Sequence, residues 1–300
     1  MNTGEITGTV KDPSGAVLPA ATIVAEQTAT GLKFTTTSSS SGQYLLPGLA
    51  IGSYSVTASA RNFKQSVLPV LDLHVGEDFR YDFILQLGDS TELVTVVADA
   101  GGAQLESAEI SDVVQRRQVL ALPLIGRQFL DLAMLSTGVV RPPGGTRGDA
   151  LQQAGTLVNV LGQRSGHNLY LVDGVAVTDE LYNNMVISPS IDAIDEFNIQ
   201  KTSYAPEFGG KSGAVINVVS RSGNNQLHGD LLEFVRNDVF DAKNYFDSGS
   251  ARIPPFHQNQ FGGSLGGPIL KNRTFFYVNY EGQRVRKSLT QTFSVPTQAT

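Results

Sequence analysis

Thr274-Phe275-Phe276-Tyr277-Val278-Asn279-Tyr280-Glu281-Gly282-Gln283 changes chemistry from one residue to the next. Phe276, Val278 and Tyr280 fall on one side of an extended chain, and Tyr277, Asn279, Glu281 and Gln283 on the other. Successive side chains of a strand point to opposite faces, so the stretch predicts a strand with one apolar and one polar face. Such alternation over about ten residues is the pattern of a strand that crosses an outer membrane, with lipid outside and a polar lumen inside. Periodicity alone leaves a soluble sandwich open, because the signal of any one such strand is weak.

The neighbouring segments repeat the pattern. Residues 227–236 form an extended run, and residues 259–269 are Gly-rich, with Phe261 and Leu265 on one face and Gln260 and Ser264 on the other. Residues 289–295 continue it, and 237–257 suit a longer external loop. About four strands cannot close a barrel, since even the small ones use about 8. An open sheet edge in lipid leaves backbone groups unpaired, each at a cost of several kcal/mol. The expectation is a piece of a longer chain that carries the first strands of its barrel.

Composition agrees with a β-rich chain. Of 300 residues, 31 are Gly and only 17% are charged. Short β-branched runs broken by Gly, Pro, Asn and Ser dominate. The net charge of -6 argues against nucleic acid as the main partner, because phosphate binding needs a basic surface. With no cysteine, disulfides, Cys-based zinc sites and thiol chemistry are excluded. No run is long and apolar enough for a transmembrane helix. Met1-Asn2-Thr3-Gly4-Glu5 lacks a basic and an apolar leader region, so no signal peptide is present and the true amino terminus is expected to lie elsewhere.

Residues 6–10, 21–25, 32–37, 43–46 and 53–60 are short alternating runs separated by turns such as Asp12-Pro13-Ser14-Gly15, which fits a type I turn. Five or more strands in so short a span imply a two-sheet sandwich. Ser38–Ser41 is expected to be a flexible hairpin tip. Gly8-x-Val10-x-Asp12-x-x-Gly15, Leu18-Pro19-x-Ala21, Gly42-x-Tyr44 and Leu49-x-x-Gly52-x-Tyr54-x-Val56 resemble the carboxypeptidase-regulatory-like domain over residues 4–90. The resemblance implies a transthyretin-like, Ig-like sandwich, with Tyr44 and Tyr54 free to fill its core. Asn62 stands before Phe63 where that family usually has Gly, and Asn tolerates the left-handed region.

The zinc peptidases that carry such domains use a His-x-x-Glu pair, and His74-Val75-Gly76-Glu77 has that spacing. A third ligand would have to come from His167, His228 or His257. Residues 66–88 read as alternating strand, which makes His74 a solvated strand histidine, and no metal or cofactor is expected.

Glu92-Leu93-Val94-Thr95-Val96-Val97-Ala98 follows, then the linker Asp99-Ala100-Gly101-Gly102. The heptapeptide resembles a TonB box, and the resemblance implies that Glu92, Leu93, Val94, Thr95, Val96, Val97 and Ala98 contact the periplasmic protein TonB. Short, β-branched and flexibly flanked, it suits addition to a partner's sheet edge. The alternative is a final sandwich strand.

Residues 105–225 switch to mixed α/β. A strand is predicted over 110–114, and apolar positions from Phe129 to Leu135 at helical spacing predict a helix stopped by Gly138. Strands are predicted over 157–161, 168–172, 197–200 and 214–220. Ser188 is expected to cap a short helix from Pro189, with Ile191 and Ile194 facing the core.

Tyr170-Leu171-Val172-Asp173-Gly174-Val175, Ile194-Asp195-Glu196-Phe197-Asn198-Ile199, Ala205-Pro206-Glu207-Phe208-Gly209-Gly210 and Ser212-Gly213-Ala214-Val215-Ile216-Asn217-Val218-Val219-Ser220 resemble the plug of TonB-dependent outer-membrane receptors, in the Oar-like branch that also carries the regulatory-like sandwich. The resemblance implies structural roles for Asp173, Gly174, Glu207, Gly209, Gly210, Gly213 and Asn217.

Sharper readings carry less. Gly210-Lys211-Ser212 lacks the first glycine and the following helix of a phosphate loop. Arg147-Gly148-Asp149 is a chance adhesion tripeptide in a loop. Asp192, Asp195 and Glu196 read as a solvated helix end. No catalytic set has local support.

The expected architecture is mainly β with a mixed α/β part: a β-sandwich (4–90), a TonB-box-like segment and linker (91–104), an α/β plug (105–225) and the start of a transmembrane β-barrel (226–300). The expected function is energised uptake across an outer membrane, without catalysis. Its partners would be TonB, outer-membrane lipid, and a small-molecule, oligosaccharide or peptide ligand. The rivals are a secreted or surface β-rich carbohydrate- or protein-binding protein and a zinc peptidase remnant.

Overall fold

The computed structural model describes residues 3–89, 93–95, 109–122, 124, 127–142, 157–181, 183–243 and 253–287. They form three β-rich units in chain order.

The first unit is a sandwich. One sheet joins β1 (Thr3–Lys11) to β4 (Gln43–Ala50) and β7 (Asp78–Arg80), with β8 (Phe83–Ile84) also on β1. The other runs β3 (Lys33–Thr37), β2 (Thr22–Gln27), β5 (Gly52–Ser59), β6 (Gln65–Leu73) and β9 (Leu93–Thr95). In β2 and β5 buried residues alternate with half-buried ones, as the sequence pattern demands. Ile6, Ile23, Leu49, Tyr54, Val56, Leu68 and Phe83 fill the space between the sheets. Tyr44 and Tyr54 enter the core and keep their hydroxyls satisfied by donating to the carbonyls of Tyr81 and Ala50. Asp12 closes its turn through the Gly15 N–H to Asp12 carbonyl bond, and its carboxylate accepts from Ser14 and Ala16. Asn62 adopts φ 67°. The Ser38–Ser41 tip is better fixed than its composition suggests. Ser38 is buried, accepting from the Ala21 N–H and donating to the Leu18 carbonyl.

The second unit is a sheet in the order β10 (Ile110–Gln115), β15 (Ile194–Thr202), β16 (Val215–Ser220), β13 (Leu169–Val172) and β14 (Val175–Ala176). One face packs on α1 (Arg116–Ala121), α2 (Leu130–Ala133) and the small β11 (Val139–Val140)–β12 (Asn159–Val160) ladder. Phe129, Leu130 and Leu132 meet Phe197, Ile199, Ile216 and Val218 there, with the Phe129 and Phe197 rings edge to face at 5.4 Å. The helix predicted from residue 129 is a single turn. The helix α1 was not predicted, because Val119 is its one buried residue. Ile191 and Ile194 are buried as predicted, but the short helix begins after Ser190 and no side chain caps it.

The third unit is the antiparallel sheet β17 (His228–Asn237), β18 (Phe256–Leu270) and β19 (Thr274–Lys287). A turn of three residues, 271–273, joins β18 to β19, whereas 238–255 join β17 to β18. Residues 289–295 lie outside the described residues.

Candidate functional site

Two seams converge on the middle sheet. Along β15, Phe197 and Ile199 point into the core, so the period of two turns Glu196, Asn198 and Gln200 to the opposite face. The sandwich covers that polar face through its turn 74–77. Glu196 accepts from the Val75 N–H at 2.6 Å and lies 2.9 Å from His74 Nδ1, while Asn198 donates to the Val75 carbonyl at 3.1 Å. The Gln115 amide nitrogen stands 3.2 Å from His74 Nε2. The hydrogen bond with Glu196 pushes the His74 pKa up, against the effect of burial. Burial raises the pKa of Glu77, whose carboxylate accepts from the His74 N–H. Asn198 Oδ1 and Gln200 Oε1 are buried without a hydrogen-bond partner. A cavity of about 330 Å³ opens beside Gln200, lined by Glu5, Asp78, Glu109 and Glu207.

This geometry corrects two readings. His74 is not a solvated strand residue, because β6 ends at Leu73 and His74 turns into the neighbouring unit. Asp192, Asp195 and Glu196 are not a solvated helix end either. Asp192 pairs with Arg127 in a buried contact, Glu196 holds the sandwich, and burial raises the Asp195 pKa. Among the described residues no group of three or more His, Cys, Asp and Glu is placed to hold a metal.

The second seam joins the middle unit to the polar face of β17–β19. Register places Tyr277, Asn279 and Glu281 of β19 on the same side as Asp230 and Phe234 of β17. Tyr277 donates its hydroxyl to the Asp192 carbonyl at 2.9 Å, and Ser190 and Asn279 are bonded at 2.6 Å. The Arg127 guanidinium sits 4.5 Å from the centre of the Phe234 ring while it pairs with Asp192. Arg221 pairs with Asp230 at 3.2 Å and lies 5.1 Å from the Tyr277 ring centre. Sequence reasoning missed Arg116 and Arg127, since nothing in their spacing indicates partners that lie 65 or more residues away.

The residues singled out by the plug resemblance spread along the middle unit. Asp173 (φ 50°) and Gly174 (φ 79°) make the two-residue turn between β13 and β14, and the Asp173 carboxylate accepts from the N–H and hydroxyl of Ser220. Glu207 stands in the turn Pro206–Phe208 beside the cavity. Gly209 and Gly210 follow it, Gly210 at φ 88°. Gly213 lies against His167 and Asn168, and Asn217 sits opposite Asn198 on the polar face. Of the TonB-box-like segment, Leu93–Thr95 form β9, parallel to Gln65, Ser66 and Val67 of β6. Glu92, Val96, Val97 and Ala98 lie outside the described residues, as do Arg147, Gly148 and Asp149.

Two family descriptions match the ends of the chain: "Carboxypeptidase regulatory-like domain" over residues 5–86 and "Outer membrane beta barrel domain" over 219–300. The TonB-dependent transporter Oar of Myxococcus xanthus is 28% identical over an alignment that takes in 96% of this chain. The chain is related to the TonB-dependent outer-membrane transporters. It spans 27% of the length of that curated relative. The siderophore receptor PirA from Acinetobacter baumannii superposes with 20% identity and a TM-score of 0.42, covering 57% of this chain and 24% of the receptor. The outer membrane transporter YddB from Escherichia coli does so with 17% identity and a TM-score of 0.44, covering 58% and 26%. Scores this low carry no argument, so the sequence matches bear the assignment. The barrel family, matched over residues 219–300, places this chain in the outer membrane, and the curated relative it matches is a transporter.

Proposed function

We propose that this chain carries the periplasmic sandwich (4–90), the TonB-contacting segment (91–104), the plug (105–225) and the first barrel strands (226–300) of an active transporter. TonB binds Glu92–Ala98 and pulls, and the plug moves to open a path for a ligand of undetermined class. No residue is assigned a catalytic role. The observation that carries this reading is the grip of Arg127, Ser190 and Asp192 on the polar face of β17 and β19. A folded unit held against the lumen side of barrel strands is what blocks a channel. The β-branched character of Val94, Thr95, Val96 and Val97 suits strand addition to a partner.

The test is binding of the periplasmic domain of TonB to the full-length receptor and to Val94→Pro. Proline removes a backbone donor and fixes φ, which breaks strand pairing. Loss of TonB binding, with ligand binding on the outside intact, is expected. Equal TonB binding by both proteins would sink the assignment of this segment.

A further inference from the structure

The outward face of β17–β19 changes character along its length. Leu231, Leu265, Phe276, Val278 and Tyr280 point away from the plug, with Leu231 94% and Tyr280 65% exposed. Toward one end of this stretch stand Phe261 and Tyr280, whose rings lie 6.4 Å apart, with the exposed Val235 one rung further out. Aromatic rings at the end of an apolar band mark the boundary between hydrocarbon and headgroups. Beyond them the same face of β19 carries Arg284 and Arg286, opposite Asn259 and His257 of β18.

Arg284 is positioned there. Gly282 leaves a gap that the Phe261 ring fills: a Cβ on Gly282 would stand 2.9 Å from Phe261 Cζ. The ring then supports the Arg284 guanidinium, 5.8 Å from its centre. Glu233 shares this face beside Phe261, one rung nearer the membrane centre, and Asp238 stands 3.7 Å from His257 Nε2, so the positive charge of this end rests on Arg284 and Arg286.

Orientation follows from the connections. The sandwich meets the turn end of this sheet, where Asn225 donates to the Thr30 carbonyl and bonds Asn272. The long 238–255 connection leaves the opposite end, the one that carries Arg284 and Arg286. Outer-membrane barrels put short turns in the periplasm and long loops outside.

The geometry points to a grip for a phosphorylated lipid headgroup of the outer leaflet, formed by Arg284 and Arg286 above Phe261 and Tyr280. Arginine forks match phosphate oxygens in pairs, and the rings below offer an apolar shelf to the first carbons of the acyl chains. This inference goes beyond transport and needs only the membrane location.

The experiment titrates the full-length receptor in detergent with a bisphosphorylated glycolipid, its dephosphorylated counterpart and inorganic phosphate, reading bound lipid by native mass spectrometry. The phosphorylated lipid binds and the dephosphorylated one does not. Arg284→Gln weakens binding about fivefold, and R284Q/R286Q roughly twenty-five-fold. R236Q, on the inward face, leaves binding unchanged. Equal binding of the two glycolipids overturns the proposal, as does unaltered affinity in the double variant. Full competition by inorganic phosphate at the lipid's own concentration also overturns it, since the site would then recognise the free ion. If the double variant does not fold, the comparison of the two glycolipids on the native receptor decides the matter by itself.

Discussion

His74 in the sandwich and Glu196 in the proposed plug stand 122 residues apart in sequence and meet with Nδ1 2.9 Å from Oε2. The same carboxylate accepts from the Val75 N–H, so one side chain holds both a titrating ring and a backbone group of the opposite unit.

Docking of the sandwich should therefore weaken as pH rises. Glu196 raises the His74 pKa above its ordinary value, first by the hydrogen bond and then by its charge, with Glu77 and Asp72 adding. A raised histidine pKa gives stability that is complete below the ordinary value and is lost as pH rises through the raised one. Burial raises the Glu77 pKa as well, and its contribution fades in the same direction, starting from the ordinary carboxylate value. Spin labels on the two units should move apart on going from about pH 5 to about pH 9, through the ordinary histidine range. Glu196→Gln should flatten the profile, and an unchanged profile would remove His74 as its cause.

Arg127 should prove the costliest single contact between the proposed plug and the β17–β19 sheet. Its side chain and that of Asp192 are 12% and 11% exposed, and removal of one partner of a buried pair costs about 3–5 kcal/mol. Arg127→Ala should free the plug from the barrel at lower urea concentration, read as protease access to residues 127–142 in the folded receptor. Arg127→Lys should recover only part of this, because it keeps the charge without the planar fork.

Two glycines of the same turn region should respond differently. A Cβ at Gly213 would stand 2.7 Å from the His167 carbonyl oxygen, whereas Gly210 has open space and only its φ of 88° to defend. Gly210→Ala should cost about 1 kcal/mol from the left-handed conformation alone. Gly213→Ala has to move backbone, a shift in the range of about 1–3 kcal/mol or more. Chemical denaturation of the two variants should rank them in that order.

In the sandwich, Tyr54→Phe removes the bond to the Ala50 carbonyl and should cost about 1 kcal/mol. Tyr54→Ala empties a fully buried site and should cost about 3–5 kcal/mol. Similar losses in both would mean that the hydroxyl, not the ring, carries the stability of this position.

What the sequence disclosed was what local periodicity encodes. Phe276 and Tyr277 declare opposite faces of one strand because their chemistry differs and the pleat is rigid, and the burial of Ile23 and Val56 follows in the same way. The turn at Asp12 is a matter of four consecutive residues. The seams were not legible. Glu196 follows Asp195 in a stretch that looks like surface, and only the folded chain shows that the sandwich covers it. Arg127 finds Asp192, Phe234 and Glu281 through contacts whose partners no spacing rule can name. Ser38 shows the opposite failure: a serine run suggests slack, yet one hydroxyl in it ties two chain segments together.

The three-residue parallel pairing of β9 with β6 has a mechanical meaning. A tension applied just beyond Thr95 would load the sandwich at Gln65–Val67, because Leu93–Thr95 are moored to that strand. So short a ladder opens at low load, and its failure lengthens the tether without disturbing either folded unit. Under such a load the ladder would be a weak link on the sandwich side of the segment, one that parts before either sheet of the sandwich does.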